Sequence, residues 1–243
     1  MVYLISYQGG SGGEFFGNLV QNSSDRFYHA GVKYIPERNQ YNLEHLEKIL
    51  DRDLKDEEND GQNLSDQEID KLNNYYKKDT VLLTHKFNEN LNNNITGIRL
   101  YTTCPHMIKL TYCMKWLKAL YFSWGWYEYA VKYNFVKNSK LDLAGFFKWR
   151  WRLHLESNIT VHYKHWHYVE AKELYSLDPT CIARLNSVIN AEIDTNLVVP
   201  YHQKNIEFVE KTLNCRYDSP EILSRLLEYL EVMARLELAI VSV

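Results

Sequence analysis

The chain has 243 residues, 45% hydrophobic and 24% charged, which fits a globular protein and excludes a mostly disordered one. Its net charge of -3 excludes a general polyanion binder, and its four cysteines lack the paired short spacing of a disulfide scaffold or a zinc knot. No apolar run reaches the length of about 18 residues that a spanning helix needs, and Met1–Ser6 is too short and uncharged to be a signal peptide, so a soluble, cytoplasmic protein with reduced thiols is expected.

In chain order, the first eight residues are apolar and aromatic, with Tyr3, Ile5 and Tyr7 alternating against Val2, Leu4 and Ser6, and read as a buried strand. Gly9-Gly10-Ser11-Gly12-Gly13 follows, and then Phe15, Phe16, Leu19 and Val20 fall on one helical face. The opening is therefore strand, glycine loop, helix. Residues 42–54 and 66–77 read as helices, and residues 80–84 and 98–102 as strands. Pro105 opens a long helix to about residue 122, a position where its missing N–H costs nothing. Residues 161–168 alternate and read as a further strand. Helices follow near 178–190 and 202–214, and a last one has Ser219 as its cap and Pro220 in its first turn. Strands separated by helices predict an α/β protein with a three-layer α/β/α arrangement around a mostly parallel sheet. One domain is expected over residues 1–243, with a polar acidic insertion around 51–70.

Charge is unevenly spread. Residues 44–70 hold eleven acidic side chains against Lys48, Arg52 and Lys55, a net of -8. Residues 109–152 hold nine Lys or Arg against Glu128 and Asp142, a net of +7. That basic stretch is also aromatic, with Trp116, Trp124 and Trp126 early and Phe146-Phe147-Lys148-Trp149-Arg150-Trp151-Arg152 later. Aromatics beside cations suit a glycan, a single-stranded nucleic acid or a membrane surface, and they equally suit a packed core with snorkelling cations.

The glycine loop carries the chemistry. Its backbone N–H groups are unshielded, and the next helix points its N-terminus at them, which is the arrangement that holds a phosphate or sulfate. Ser11 adds a hydroxyl. The loop has no Lys after Gly12 or Gly13, so it is not a Walker A motif, and its spacing is not that of a dinucleotide fingerprint. Glu14 opposes an anion at that place. His162, His165 and His167 supply at most two ligands on one strand face, and no metal is expected.

These segments resemble, in order and spacing, the sulfotransferase branch of the P-loop proteins. That family has strand, loop P-K-S-G-T-T, helix; here Ser11-Gly12 match, while Gly10 and Gly13 stand at the lysine and first threonine. The family's K-T-H-L-P is matched at Thr84-His85, with Lys86 next. Its R-x-P-x-x-x-x-x-S, aligned on Pro105, places Thr103 at the arginine and Thr111 at the serine, with Arg99 and Lys109 close in sequence as replacement cations. Late in the chain, His167-Tyr168-Val169-Glu170-Ala171-Lys172-Glu173-Leu174 loosely resembles the family's strand ending Y-E-D-L.

The resemblance implies a transferase that moves a sulfuryl group from 3′-phosphoadenosine 5′-phosphosulfate to a hydroxyl or amine acceptor, such as a glycan, without a metal. Gly10, Ser11, Gly12 and Gly13 would hold the 5′-phosphosulfate side of the donor, Gly9 and Thr84 would also belong to the donor site, and Thr103 and Thr111, with Arg99, would hold its 3′-phosphate. His85 is the first candidate for the general base and His106 the second. Two cationic family positions have become Gly10 and Thr103, each lost contact being worth about 1.5–3 kcal/mol. The alternatives are a catalytically inactive binding or scaffold protein on the same fold, a transferase with another phosphorylated donor, or a nucleic-acid-binding module using residues 115–152.

Overall fold

The computed structural model describes residues 1–8, 10–30, 34–35, 40–41, 48–51, 64–84, 89, 91–121, 130–137, 140–157 and 162–241. The chain divides into two compact units, Met1–Thr102 with Thr160–Tyr201, and Thr103–Ile159 with His202–Val243.

The first unit is built on a five-stranded sheet in the order β2-β5-β1-β6-β9, with every pairing parallel. Its strands are β1 (Val2–Ser6), β2 (Phe27–His29), β5 (Asp79–Thr84), β6 (Ile95–Tyr101) and β9 (Trp166–Glu170). Between β2 and β5 the pieces Tyr34–Ile35 (β3) and Gln40–Tyr41 (β4) pair antiparallel. All five residues of β1 are buried, as a central strand covered on both faces requires. Helices lie on the two faces of this sheet, giving the three-layer α/β/α arrangement expected from the alternation of elements.

The faces can be told apart by parity. Val2, Leu4 and Leu82 join Ile69 and Leu72 of helix α2 (Asp66–Tyr76) in one buried cluster. Helix α1 (Gly13–Asn22) packs on the opposite face, where Gly13 lies against the Tyr7 ring and Gly17 against His29. Helix α2 begins with a capping box in which Ser65 and Glu68 satisfy each other's backbone N–H groups. The unit continues through α5 (Ala171–Tyr175), α6 (Pro179–Ile189) and a 3₁₀ turn, Thr195–Leu197, into the first residues of α7 (Val198–Leu213).

The second unit is helical. It contains α3 (Pro105–Tyr121), the small pairing of β7 (Val136–Lys137) with β8 (Lys140–Leu141), α4 (Leu143–Ser157), the rest of α7, and α8 (Ile222–Val241). Helices α3, α4 and α8 pack on one another. Phe146 and Trp116 are buried between α3 and α4 with their rings 5.8 Å apart in an edge arrangement. The core reading of Trp116, Phe146 and Phe147 therefore holds.

Several boundaries differ from the sequence reading, each for a local reason. The strand expected over 161–168 runs instead over Trp166–Glu170, because a turn closed by the Trp166 N–H on the Tyr163 carbonyl occupies the earlier residues. Helix α7 starts at Val198 rather than 202, since Pro200 falls in its first turn, where a missing N–H is tolerated. Helix α8 starts at Ile222, two residues beyond Pro220; Ser219 Oγ accepts from Glu221 N–H in the preceding turn. Helix α4 was not anticipated. Asp142 opens it, its carboxylate accepting the Gly145 N–H at 2.9 Å. Of the helix expected over 42–54, residues 42–47 and 52–54 lie outside the described residues, as does 52–63 of the acidic insertion; the end of that insertion is the start of α2.

Candidate functional site

In an open parallel sheet the binding crevice lies beyond the carboxyl ends of the strands, where the strand order reverses. Here β1 is followed by β2 and β5 on one side and by β6 and β9 on the other, so the reversal falls at β1 and β6. The glycine loop leaves β1 at that point. Two sequence-selected residues, Thr84 and Arg99, are also brought there. Parallel register sets Ser6 opposite Thr84 on one side and opposite Arg99 on the other. The three form one buried row at the carboxyl edge, with exposures of 0%, 3% and 6%.

The row is held by specific bonds. The Arg99 guanidinium donates to Ser6 Oγ at 2.7 Å. Burial lowers the Arg99 pKa to about 10, opposed by the neighbouring Tyr168 phenol, and a guanidinium with that value remains charged at neutral pH. The Tyr7 N–H donates to the Thr84 carbonyl at 3.0 Å, which carries the β1–β5 pairing one residue past the strand. Thr102, one residue beyond β6, is also buried, and its Oγ1 has no hydrogen-bond partner among the described residues.

The loop itself is a tight turn. Gly10 and Gly12 have φ of 91° and 84°, a backbone region that only glycine enters without strain. The Ser11 N–H and hydroxyl both donate to the Gln8 carbonyl, at 2.9 and 2.6 Å. The Ser11 hydroxyl, expected to face an anion, is therefore turned inward to close the turn. Gly12 takes the N-cap position of α1 and offers no capping side chain, so the first-turn amides of Gly13, Glu14 and Phe15 are not covered by a side-chain cap. The Phe16 N–H closes the first helical bond on the Gly12 carbonyl at 2.9 Å. Glu14, in that first turn, is exposed.

Three tyrosines brace the turn. The Tyr175 hydroxyl donates to the Ser11 carbonyl at 3.0 Å, and burial raises the Tyr175 pKa well above the phenol range. A Cβ on Gly12 would stand 2.7 Å from Tyr175 Oη and 2.9 Å from Tyr201 Oη. A Cβ on Gly13 would enter the Tyr7 ring at 2.1 Å from Cγ. Phe15 stacks on Tyr201 with ring centroids 3.8 Å apart. Sequence reasoning missed Ser6, Thr102, Tyr7, Tyr175 and Tyr201. Of these only Tyr7 carried a local signal, as the residue next to the loop.

The remaining selected residues are separate. Gly9, His85 and Lys86 lie outside the described residues. Thr103, His106, Thr111 and Lys109 belong to the second unit. There Thr103 and His106 are exposed, Thr111 is buried within α3, and Lys109 Nζ donates to the Ser219 carbonyl at 3.2 Å. His162 packs its ring 4.4 Å from Tyr168, and among the described residues no three His, Cys, Asp or Glu side chains are grouped to hold a metal. All four cysteines are free, and no helix among the described residues is long and apolar enough to cross a membrane. No protein-family model, curated protein or solved structure matches the chain.

Proposed function

We propose that the chain is a sulfuryl transferase whose glycine loop holds the phosphosulfate end of 3′-phosphoadenosine 5′-phosphosulfate and passes the sulfuryl group to a hydroxyl or amine. The observation that carries this reading is the place of the loop: at the carboxyl end of the central parallel strand, at the reversal of strand order, leading into the N-terminus of α1. The donor set fits an anion through backbone rather than cations. The first-turn amides of Gly13, Glu14 and Phe15 supply N–H groups, and Arg99 supplies a buried positive charge one strand away.

In such a transfer the acceptor oxygen or nitrogen attacks sulfur in line, and negative charge grows on the oxygen that leaves with the nucleotide. Fixed N–H groups lower that barrier because they need no reorganisation as the charge appears. The tyrosine bracing of Gly12 and Gly13 supports this role by stiffening the loop. His85 stands first as the base that takes the acceptor proton, and His106 second. Thr103 and Thr111 are assigned the 3′-phosphate on the resemblance alone.

Calorimetric titration with 3′-phosphoadenosine 5′-phosphate, against ATP and AMP, tests the reading. Selective binding is expected, weakened at least tenfold by Gly12→Val and tightened a few-fold by Glu14→Gln, which removes a like charge from the helix N-terminus. Because Gly12→Val perturbs folding as well, Glu14→Gln is the deciding variant. A folded protein that binds none of the three nucleotides would point to a binding or scaffold protein that kept the fold without the chemistry.

A further inference from the structure

The second unit exposes aromatic and aliphatic groups beside its own core. Helix α4 buries one side, with Leu143, Phe146, Phe147 and His154. Successive positions on a helix turn by about 100°, so Trp149 and Leu153, four residues apart, stand together on the other side. Leu153 is 37% exposed and Trp149 is half-buried. Tyr133 extends this ridge from the segment ahead of β7. It is 42% exposed, and its ring centroid lies 4.7 Å from that of Trp149. Val131, two residues earlier, is exposed as well. Phe135 ties the ridge to the core, its ring 5.4 Å from that of Trp149 and 5.4 Å from that of buried Phe146.

Cations flank the ridge. Lys132 Nζ lies 5.8 Å from the Tyr133 ring centre, and Lys148 and Arg152 are exposed on the neighbouring stripe of α4. Residues 130–157 hold six Lys or Arg against Asp142 and Glu156. Both acids are engaged locally. The Asp142 carboxylate accepts the Gly145 N–H at 2.9 Å, and that of Glu156 pairs with Arg152 at 2.8 Å. The charge left on this side of the unit is therefore positive.

This mixture suits a boundary between oil and water. Leu and Val gain by leaving water. Trp and Tyr favour headgroup depth, where the ring is buried and its polar edge stays wet. Lys and Arg are drawn to anionic headgroups. A single-stranded nucleic acid would also meet the cations, but it gains by stacking bases on open ring faces. Trp149 is already packed against Tyr133 and Phe135, and Val131 and Leu153 have no ring to stack on. The observations therefore favour a bilayer. Helix α4 has 15 residues, too short and too charged to span one, so it would lie in the plane of the surface.

We propose that Tyr133, Trp149 and Leu153, flanked by Lys132 and Lys148, dock the second unit on the surface of an anionic lipid bilayer. The docking surface is independent of the glycine loop and does not require the transferase reading.

The full chain is mixed with vesicles of phosphatidylcholine alone, or of equimolar phosphatidylcholine and phosphatidylserine, and bound protein is read by flotation. Binding to the mixed vesicles is expected, falling as salt rises, with much weaker binding to phosphatidylcholine alone. Leu153→Gln should weaken it about tenfold. Lys132→Gln combined with Lys148→Gln should weaken it about tenfold or more. Leu155→Gln and Lys78→Gln should leave it unchanged. Leu155 is 39% exposed but stands nearly opposite Leu153 around α4, and Lys78 is an exposed cation of the first unit. Every substituted side chain is exposed, so each variant should keep the wild-type unfolding midpoint. Equal binding to the two kinds of vesicle, or undiminished binding of Leu153→Gln, would overturn the proposal. So would a folded protein that floats with neither vesicle, whether or not it binds a single-stranded oligonucleotide.

Discussion

The two units place their polar groups in opposite ways. In the first, the glycine loop offers backbone amides and a helix terminus, and the side chains around it, Tyr7, Tyr175 and Tyr201, act as braces. In the second, the α3–α4 seam sets side-chain charge among aromatic rings, with the Arg150 guanidinium 5.7 Å from the Trp116 ring centre. The backbone solution is stiff and carries little charge of its own. The seam carries side-chain charge, and burial, then the Arg150 charge, lower the Lys115 pKa to about 8. The glycine turn should therefore be sensitive to shape, and the helical seam to pH and charge.

The largest expected effect breaks the shape side of this comparison. Gly13→Ala places a methyl group inside the Tyr7 ring, so the ring or the start of α1 must move. A loss of about 3 kcal/mol or more is expected, read from the urea midpoint. A near-neutral result would mean that Tyr7 does not brace the loop.

Next comes the buried row. Ser6→Ala removes the acceptor that the Arg99 guanidinium meets at 2.7 Å. A hydrogen bond to a charged group contributes about 1.5–3 kcal/mol, and a destabilisation in that range is expected by urea denaturation. A markedly smaller loss would show that other partners of Arg99 hold it.

The smallest effect sharpens the charge side. Below pH 8 the Lys115 amine is protonated in the folded and unfolded chains alike, and folding bears the full penalty of burying it. Between about 8 and its ordinary value of 10.5 the unfolded chain binds the proton more tightly, so this residue makes stability rise with pH. Burial pushes the Cys113 thiol up to about 12, which acts in the opposite sense at high pH, so the comparison must be made between variants. The unfolding midpoint of wild type relative to Lys115→Met should climb across that window. A constant difference would remove the buried like-charge argument.

Much of the fold was legible because its signals are local. The apolar run of β1, the glycines at the turn, Pro105 at the head of α3 and Asp178-Pro179 at the head of α6 each act within a few residues. Helix α4 was not legible as a helix. Phe146, Phe147 and His154 are all buried while Trp149, Arg150 and Trp151 are half-buried, so no single apolar stripe marks it. The start of β9 was misplaced because alternation continues through the turn at Tyr163–Trp166.

The sequence by itself determined that the chain opens with strand, glycine loop and helix, that helices and parallel strands alternate, and that positive charge gathers among aromatics in residues 109–152. Only the tertiary structure decided that Ser6, Thr84 and Arg99 form one row, because parallel register between distant strands sets it. It alone decided that Ser11 turns inward, that Tyr175 and Tyr201 close on Gly12 from far along the chain, and that Arg150 reaches the Trp116 ring. Such meetings depend on which faces two elements bury against each other, and no local pattern of residues encodes that.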